Sequence, residues 1–301
     1  MSEPGYKPTE LLICSAARLM TDNTTVFVGT GIPMLAAALA QKMHAPNLMT
    51  IFEFGGTGAI LEELPRAVGE ARTFHKGISA LGICDTMETA QRGFIDYGFL
   101  GGAQIDPYGN LNSVVIGDHD HPKARLPGSG GGNDVGSHCW QTIAIMQHDA
   151  RRFIPKVDFL TTPGYLSGPG AREAAGLPRG TGPLAVVSTL ALMDYDPDTC
   201  WMRLKSLHPG VSVEKVKENT GFELIIPAQV GHPMAIGADD LGDVAYRQIH
   251  QLQVVVWRLD DHLVRAHARQ FIEHAYALAL QLALDPQHGK SVGQNAHPPA
   301  A

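Results

Sequence analysis

The chain has 301 residues, 44% of them hydrophobic, and carries a formal net charge of −7. This length and composition suffice for one large α/β domain or two small ones with a sizeable core. The 23 Lys and Arg residues are scattered rather than clustered, which argues against nucleic acid or an anionic membrane surface as a partner.

The first 120 residues alternate helical and strand patterns. Apolar residues at helical spacing predict a helix over 9–20, and the run Val26–Val28 predicts a buried strand. The segment Thr30-Gly31-Ile32-Pro33 leads into an alanine-rich stretch that runs to Met43, and the proline suits the first turn of a second helix. The apolar run Leu48–Phe54 stops at two glycines and predicts the next strand. Such alternation favours a parallel or mixed sheet with helices on both faces.

Five more strands are predicted further along, separated by loops rich in glycine and proline, over 99–105, 113–116, 142–147, 157–162 and 184–192. The composition then changes: the region 245–284 is rich in Gln, His, Arg, Leu and Ala and predicts one or two terminal helices. We therefore divide the chain into a core domain over 1–230, a helical extension over 231–286 and a disordered tail over 287–301.

Glu53 is a charged residue within an otherwise apolar run, at the carboxyl end of a predicted strand. Ligands of open α/β sheets gather at the carboxyl ends of strands, so a carboxylate there is well placed for chemistry. The glycines that follow it let a bulky ligand approach the backbone closely. The alternative is structural, because most ionisable residues at strand ends pair with a cation or a backbone N–H.

The glycine-rich loop 127–134 is the second candidate for function. Consecutive glycines before a helix can expose several backbone N–H groups to one anion or to a developing oxyanion. The alternative is a flexible linker, in which such runs are common.

Two polar motifs have structural explanations beside functional ones. The segment 106–110 reads Asp-Pro-Tyr-Gly-Asn, which is ordinary turn chemistry, and Asn112 after it either donates to a substrate carbonyl or caps the turn. His119 and His121 alternate along one segment and would face the same way if it is extended, as a metal pair would. No third ligand is evident beside them, so we do not predict a metal.

Other active-site classes find little support. Gly29-Thr30-Gly31 with Glu53 22 residues later imitates a dinucleotide fingerprint, but Met34 stands in the place of the third glycine and Pro33 removes an N–H. The stretch Gly-Lys-Ser-Val-Gly over 289–293 matches Gly-x-Ser-x-Gly, but it lies in the predicted disordered tail and not between a strand and a helix, so a serine hydrolase is not supported. The four cysteines form no CxxC pair. The polar start and the lack of an 18-residue apolar run predict a cytoplasmic protein without a membrane span.

At these residues the chain resembles the B subunit of glutaconate CoA-transferase, within the family I CoA-transferases. Ten segments carry the resemblance, in order over roughly residues 9–226: 28–33, 45–46 with 52–55, 63–69, 101–112, 116–118, 121–123, 128–133, 146–153, 168–173 and 218–222. The resemblance implies a three-layer α/β/α sandwich around a mostly parallel sheet. It also implies a separately encoded A subunit as the partner in a hetero-oligomer.

The resemblance further implies a ping-pong transfer of CoA from an acyl-CoA to a small carboxylic acid. The residue that matches the family's catalytic glutamate is Glu53, which would form a mixed anhydride and then a glutamyl-CoA thioester. The oxyanion donor of the glycine-rich loop falls on Gly130 or Gly131, between which the sequence does not decide, and Asn112 is a further polar contact. CoA is a substrate in this chemistry, and no cofactor is expected.

Two alternatives remain open at this point. A relative with the same fold could hydrolyse or decarboxylate a CoA ester, and a non-catalytic module could bind acyl-CoA or a nucleotide without turnover. Phe54 follows Glu53 where the family often has serine or asparagine, so we expect an effect on substrate choice.

Overall fold

The computed structural model describes residues 8–61, 65 and 67–231 of the chain. The predicted extension over 231–286 and the predicted tail over 287–301 lie outside the described residues from residue 232 onward. No helix in the described part is long and apolar enough to cross a membrane.

Short strands and helices alternate along the described chain. The α-helices are α1 (Pro8–Ala17), α2 (Ile32–Met43), α3 (Ile83–Gln91), α4 (Gly132–His138), α5 (Ala171–Ala174) and α6 (Val213–Glu218). The strands are β1 (Thr25–Val28), β2 (Met49–Ile51), β3 (Gly56–Thr57), β4 (Ser79–Ala80), β5 (Tyr97–Leu100), β6 (Gln104–Ile105), β7 (Leu111–Asn112), β8 (Val115–Gly117), β9 (Pro122–Arg125), β10 (Gln141–Met146), β11 (Gly182–Ser188), β12 (Ala191–Tyr195) and β13 (Met202–Leu207).

Nine strands form one sheet in the order β13-β12-β11-β10-β5-β1-β2-β3-β4. The five central strands, from β11 to β2, pair in parallel, whereas the two outer strands on each side pair antiparallel. The sheet is therefore mixed, with a parallel centre. Strands β10 and β11 are buried along almost their whole length, as expected of parallel strands covered on both faces.

Helices cover both faces of this sheet. Phe27 of β1 and Ile51 of β2 pack in one hydrophobic cluster with Ala90 of α3 and Val135 of α4. Side chains alternate between the two faces of a strand, so Val26 and Val28 of β1 face the opposite helical layer. Helices α1 and α2 pack on each other and contact β1, β10 and β11. This is the predicted three-layer α/β fold.

Several predicted elements differ in their bounds. The strand predicted over 48–54 ends at Ile51, because the chain reverses directly after it. The single strand predicted over 184–192 is the β11–β12 pair, with a reversal between them. The strand predicted over 157–162 is wrong: it is an irregular segment with one isolated bridge, between Leu111 and Thr162. Its Asp158 carboxylate accepts hydrogen bonds from other segments of the chain, and Pro163 follows it.

Candidate functional site

Glu53 lies in a tight turn that joins β2 to β3. The N–H of Gly55 donates to the carbonyl of Phe52 over 2.8 Å, and the N–H of Phe52 donates to the carbonyl of Gly56 over 2.9 Å. Phe52 is fully buried under the turn, whereas Glu53 is half-buried and Phe54 is 49% exposed. The turn thus presents two successive side chains to the surface at the carboxyl end of a parallel strand.

Two glycines fix the path of this turn. Gly55 has a φ of +103°, and a Cβ atom on it would lie 1.7 Å from the carbonyl oxygen of Leu81. A Cβ atom on Gly56 would lie 2.1 Å from the carbonyl oxygen of Thr73. Only glycine allows these close approaches of main chain to main chain. Backbone contacts on both sides therefore hold Glu53 in place.

The loop before α4 supplies unpaired N–H groups. The N–H of Gly128 donates to Ser113 over 3.0 Å and that of Gly132 donates to Ser129 over 2.9 Å. No acceptor among the described residues pairs with the N–H groups of Gly130 and Gly131, which lie between them. Two adjacent donors are thus left for another ligand.

The structure brings Glu53 and this loop together. A Cβ atom on Gly131 would lie 3.1 Å from Oε1 of Glu53, and one on Gly130 would lie 3.5 Å from the same oxygen. Within the described ranges, no cation pairs with the Glu53 carboxylate and no N–H or O–H donates to it. The first and second candidates from the sequence therefore form one site, and the structural alternative for Glu53, a pairing at the strand end, is not seen.

Met87 is a third member of the site that sequence analysis missed. A Cβ atom on Gly131 would lie 2.5 Å from Cε of Met87, so this side chain covers the loop beside Glu53. Helix α3, which carries it, was not predicted. The apolar residues Ile83, Met87 and Ala90 were the available signal, and of these Met87 and Ala90 pack on the core whereas Ile83 is exposed.

Packing on one face of α4 sets the position of the loop. Cβ atoms on Gly132 and Gly136 would lie 2.9 Å and 2.4 Å from the side chain of Thr162, so both glycines are needed for this contact. The amide of Asn133 donates to the carbonyl of Thr161 over 3.3 Å. The irregular segment that contains Thr161 and Thr162 thus packs directly against the start of α4.

Asn112 is fully buried and has its polar atoms engaged. Its amide nitrogen donates to Gln104 and to the carbonyl of Val115, each over 2.6 Å. Its oxygen accepts from the N–H groups of Val114 and Val115. Asn112 thus closes the reversal over 112–115 and not the turn over 106–110, which Asp106 and Asn110 hold, and both of its amide N–H groups are used within the described residues.

The histidine pair His119 and His121 lies on an exposed turn. The carboxylate of Asp118 accepts from the N–H groups of Asp120 and His121, and the ring of His119 stacks on Phe159 at 5.3 Å between centroids. The described residues contain no group of three His, Cys, Asp or Glu side chains that could hold a metal ion.

A separate polar cluster lies beyond the ends of β10 and β11. Nδ1 of His148 is 2.8 Å from the hydroxyl of Ser188, and Nε2 is 3.0 Å from that of Thr220. The ring stacks on Phe153 with centroids 3.9 Å apart. Burial lowers the pKa of His148 to about 4 and also lowers the pKa of His208, whose Nε2 lies 2.7 Å from the carbonyl of Ser188. Sequence analysis assigned these residues no role.

The site around Glu53 has the parts that acyl transfer requires. A carboxylate can attack an acyl carbonyl, and adjacent N–H groups can stabilise the oxyanion that develops there. Both parts lie on segments whose conformation is fixed by main-chain packing, which favours a defined geometry for the reacting groups.

Comparison with known proteins gives concordant matches. A family model described as coenzyme A transferase matches residues 10–219. The B subunit of glutaconate CoA-transferase from Acidaminococcus fermentans is 40% identical over 234 residues, 75% of this chain and 86% of that protein. The B subunit of 3-oxoadipate CoA-transferase from Pseudomonas knackmussii is 36% identical over 227 residues, again 75% of this chain and 87% of that protein. The crystal structure of glutaconate coenzyme A-transferase from Acidaminococcus fermentans superposes with a TM-score of 0.70 at 37% identity, covering 76% of this chain and 91% of the other.

Proposed function

This chain belongs to the coenzyme A transferase family, and we propose that it is the glutamate-bearing B subunit of a two-subunit enzyme that moves CoA between an acyl-CoA and a small carboxylic acid. One observation carries the assignment of the site: the Glu53 carboxylate, which has no partner among the described residues, lies next to Gly130 and Gly131, whose N–H groups likewise find no acceptor there. In this proposal, the acyl-CoA that donates CoA carries a glutaconate-like or related acyl group.

The first half-reaction transfers CoA to the enzyme. The Glu53 carboxylate attacks the thioester carbonyl, a C–O bond forms, the C–S bond breaks, and CoA leaves as the thiolate. The thiolate then attacks the side-chain carbonyl carbon of Glu53 and breaks the anhydride. The donor acid departs as its carboxylate with one oxygen from Glu53, and a glutamyl-CoA thioester remains.

The second half-reaction reverses these steps with the acceptor acid. The acceptor's carboxylate attacks the glutamyl thioester and releases the CoA thiolate. The thiolate then attacks the acceptor's acyl carbon, and one oxygen of the acceptor stays on Glu53. Each step passes through a tetrahedral oxyanion, which the N–H of Gly130 or Gly131 would stabilise. No proton or electron has to be supplied, so CoA is a substrate and no cofactor takes part in this proposal.

The A subunit is the partner in this proposal. The two curated relatives are themselves B subunits by name, which supports a hetero-oligomer. The turn of Glu53 and the neighbouring antiparallel edge expose an unusual set of large apolar side chains for a free surface, namely Phe54, Ile60, Ile78 and Ile83. Covering by a second subunit would remove them from water and help to close the site. We also propose that the enzyme acts in the cytoplasm.

Trapping tests the assignment directly. The chain is purified with its A subunit, mixed with an acyl-CoA and treated with hydroxylamine or borohydride. Transfer predicts a hydroxamate or an alcohol at Glu53, located by peptide mass spectrometry. Glu88, which is exposed on α3 and paired with Arg92, is the internal control and should stay unmodified.

An oxygen label separates transfer from hydrolysis. With an ¹⁸O-labelled acceptor acid, the steps above deliver label to Glu53 and, in the next turnover, to the released donor acid. A hydrolase would instead draw oxygen from water, and a non-catalytic binding module would give neither adduct nor label. If the correctly assembled complex gives neither an adduct nor label at Glu53, the proposed function is refuted.

A further inference from the structure

We propose that Arg172 is a positioning residue for the transfer reaction, which holds α4 and thereby the Gly130–Gly131 loop at the distance from Glu53 that catalysis requires. The inference rests on the proposed function and adds to it a residue without any contact to the reacting groups. Arg172 lies in α5, within the segment 168–173 that took part in the family resemblance but was assigned no role.

Arg172 is a buried cation whose guanidinium bonds uncharged oxygens. Only 3% of the residue is exposed, and no carboxylate within the described part of the chain pairs with it. Its Nη2 donates to the carbonyls of Gly136 and Ser137 over 3.0 Å and 3.3 Å and to the hydroxyl of Thr181 over 2.8 Å. Its Nη1 donates to the carbonyls of Pro163 and Gly164 over 3.2 Å and 2.7 Å.

These five acceptors belong to three separate segments of the chain. Gly136 and Ser137 lie in the last turn of α4, whose final carbonyls have no partner within the helix. Pro163 and Gly164 end the irregular segment that packs on the first turn of α4 through Thr162. The Arg172 guanidinium therefore links the last turn of α4 to the segment that packs on its first turn.

Helix α4 connects this joint to the active site. The helix has seven residues, a length of roughly 10 Å, and begins at the residue after Gly131. A helix this short moves as a rigid body, so a displacement at Gly136 is transmitted almost fully to the Gly130–Gly131 loop. Gly132 and Gly136 both fit closely against Thr162, and that fit depends on the segment that Arg172 holds.

The geometry requires arginine rather than any cation. Arginine offers N–H groups in a fixed planar fork, whereas lysine offers three donors from one point. R172K keeps the positive charge, but its amino group reaches fewer of the five acceptors. We therefore expect R172K to hold the Gly130–Gly131 loop less firmly than the wild type does. R172M removes the donors with similar side-chain length and leaves the carbonyls unsatisfied.

The first test measures the loop without reference to turnover. Hydrogen exchange is followed on the complex with the A subunit, for the wild type, R172K, R172M and R203M. Arg203 donates two hydrogen bonds to Asp194, over 2.9 Å and 3.1 Å, so R203M removes the bonds of a partly exposed arginine in a separate part of the sheet, at the β12–β13 edge. We expect faster exchange of peptides covering 130–136 in both Arg172 variants and not in R203M.

The second test measures adduct formation at Glu53 in single turnover. A misplacement of about 1 Å costs on the order of 100-fold in rate, so we expect a tenfold to hundredfold slower adduct in R172M, a smaller loss in R172K, and an unchanged Kd for CoA. Unfolding temperatures are recorded, and rates are compared where every variant is folded. If R172M does not fold, R172K carries the comparison.

A double-variant cycle separates positioning from general destabilisation. If Arg172 acts through the loop, the losses of R172K and Gly131→Ala combine to less than their product, because both displace the same donors. Independent effects that multiply, or an adduct rate in R172K equal to that of R203M, would overturn the inference while leaving the proposed function intact. A wild-type complex that forms no adduct at Glu53 would overturn both.

Discussion

Two polar centres lie at the same edge of the sheet and differ in one respect. Glu53 follows β2, and His148 follows β10, with β1 and β5 between those strands. Among the described residues, the Glu53 carboxylate and the N–H groups of the neighbouring Gly130 and Gly131 have no partners, whereas both ring nitrogens of His148 are hydrogen-bonded in a buried cluster. Both centres lie at a strand end, and unused hydrogen-bonding capacity marks the one that we propose to react.

The residues around each centre match this difference. Glu53 is half-buried, and the neighbouring Gly55, Gly56 and Gly131 pack closely on main-chain atoms and on Met87. The hydroxyl of Thr220 donates to the carbonyl of Val216, so its oxygen is left to accept from Nε2 of His148. Changes at the first centre should alter the reaction, and changes at the second should alter stability.

The largest effect is expected from Glu53→Gln. Loss of a nucleophile typically costs on the order of 10⁴-fold or more in kcat, and the amide can neither form nor exchange an anhydride. The carboxylate has no structural partner among the described residues, so the free energy of unfolding should stay within about 0.5 kcal/mol of the wild type. Steady-state CoA exchange and urea denaturation measure the two quantities, and near-normal exchange would contradict the assignment.

The next largest effect is expected from Gly131→Ala. The new methyl group would meet Met87 and the Glu53 carboxylate, and it would displace the oxyanion donors, which costs roughly 100-fold to 1,000-fold in kcat. Gly101→Ala is the matched control, since a Cβ atom there meets only the carbonyl of Ile145 at an ordinary 3.6 Å. Partial recovery in a variant that also carries Met87→Ala would locate the collision at Met87.

At the second centre, acid should destabilise the fold. His148 has an ordinary pKa of 6.5 and a pKa of about 4 in the folded chain, because burial disfavours its charged form more than Asp149 favours it. The unfolded chain therefore binds the proton first, and stability is lost as the pH falls from 6.5 towards 4. The loss amounts to roughly 3 kcal/mol at most from this residue, and His208 acts in the same direction.

Urea denaturation at a series of pH values, with NMR titration of the histidine ring, measures this dependence. The ring signal of His148 should remain that of the neutral form at pH 5.5. A stability curve that is flat between pH 6.5 and 5, or a ring that titrates near 6.5, would contradict the account of the cluster as buried and neutral.

The smallest effect is expected from Thr220→Val, which leaves Nε2 of His148 without an acceptor. An unsatisfied buried donor costs about 1–2 kcal/mol in the free energy of unfolding. Thr89→Val is the matched control: its hydroxyl also donates to a carbonyl four residues back, over 2.7 Å, but on an exposed helix face. CoA exchange should be unchanged in both variants, and a loss of exchange in Thr220→Val alone would mean that the second centre takes part in the reaction.

Sequence patterns predicted the elements that a continuous apolar run defines. Strands β1 and β10 are buried on both faces, so each appears in the sequence as a continuous apolar run. The proline marks the first turn of α2. The strand predicted over 157–162 was wrong because apolar residues there pack in an irregular segment that is held by side-chain bonds from Asp158. Short strands such as β3 and β4 leave no periodic signal at two residues each.

The site was predictable only where chemistry and local sequence coincide. A carboxylate in an apolar run marked Glu53, and a run of glycines marked the loop at Gly130 and Gly131. That these two segments meet depends on the sheet order, in which β5 and β1 lie between β10 and β2, and on the packing of α4 against β5 and α3. Met87 and Arg172 could not be found, because the contacts that give them a role are with residues distant in the sequence.

The glycines on the far side of Phe54 have a consequence for the diversity of such enzymes. Main-chain contacts of Gly55 and Gly56 hold the turn, and the half-exposed phenyl ring at position 54 packs over Gly69, outside these contacts. Under the proposed function, we expect that the residue next to the nucleophile can be exchanged while Gly55 and Gly56 keep the turn in place, so that substrate choice and bond-making ability are encoded one residue apart.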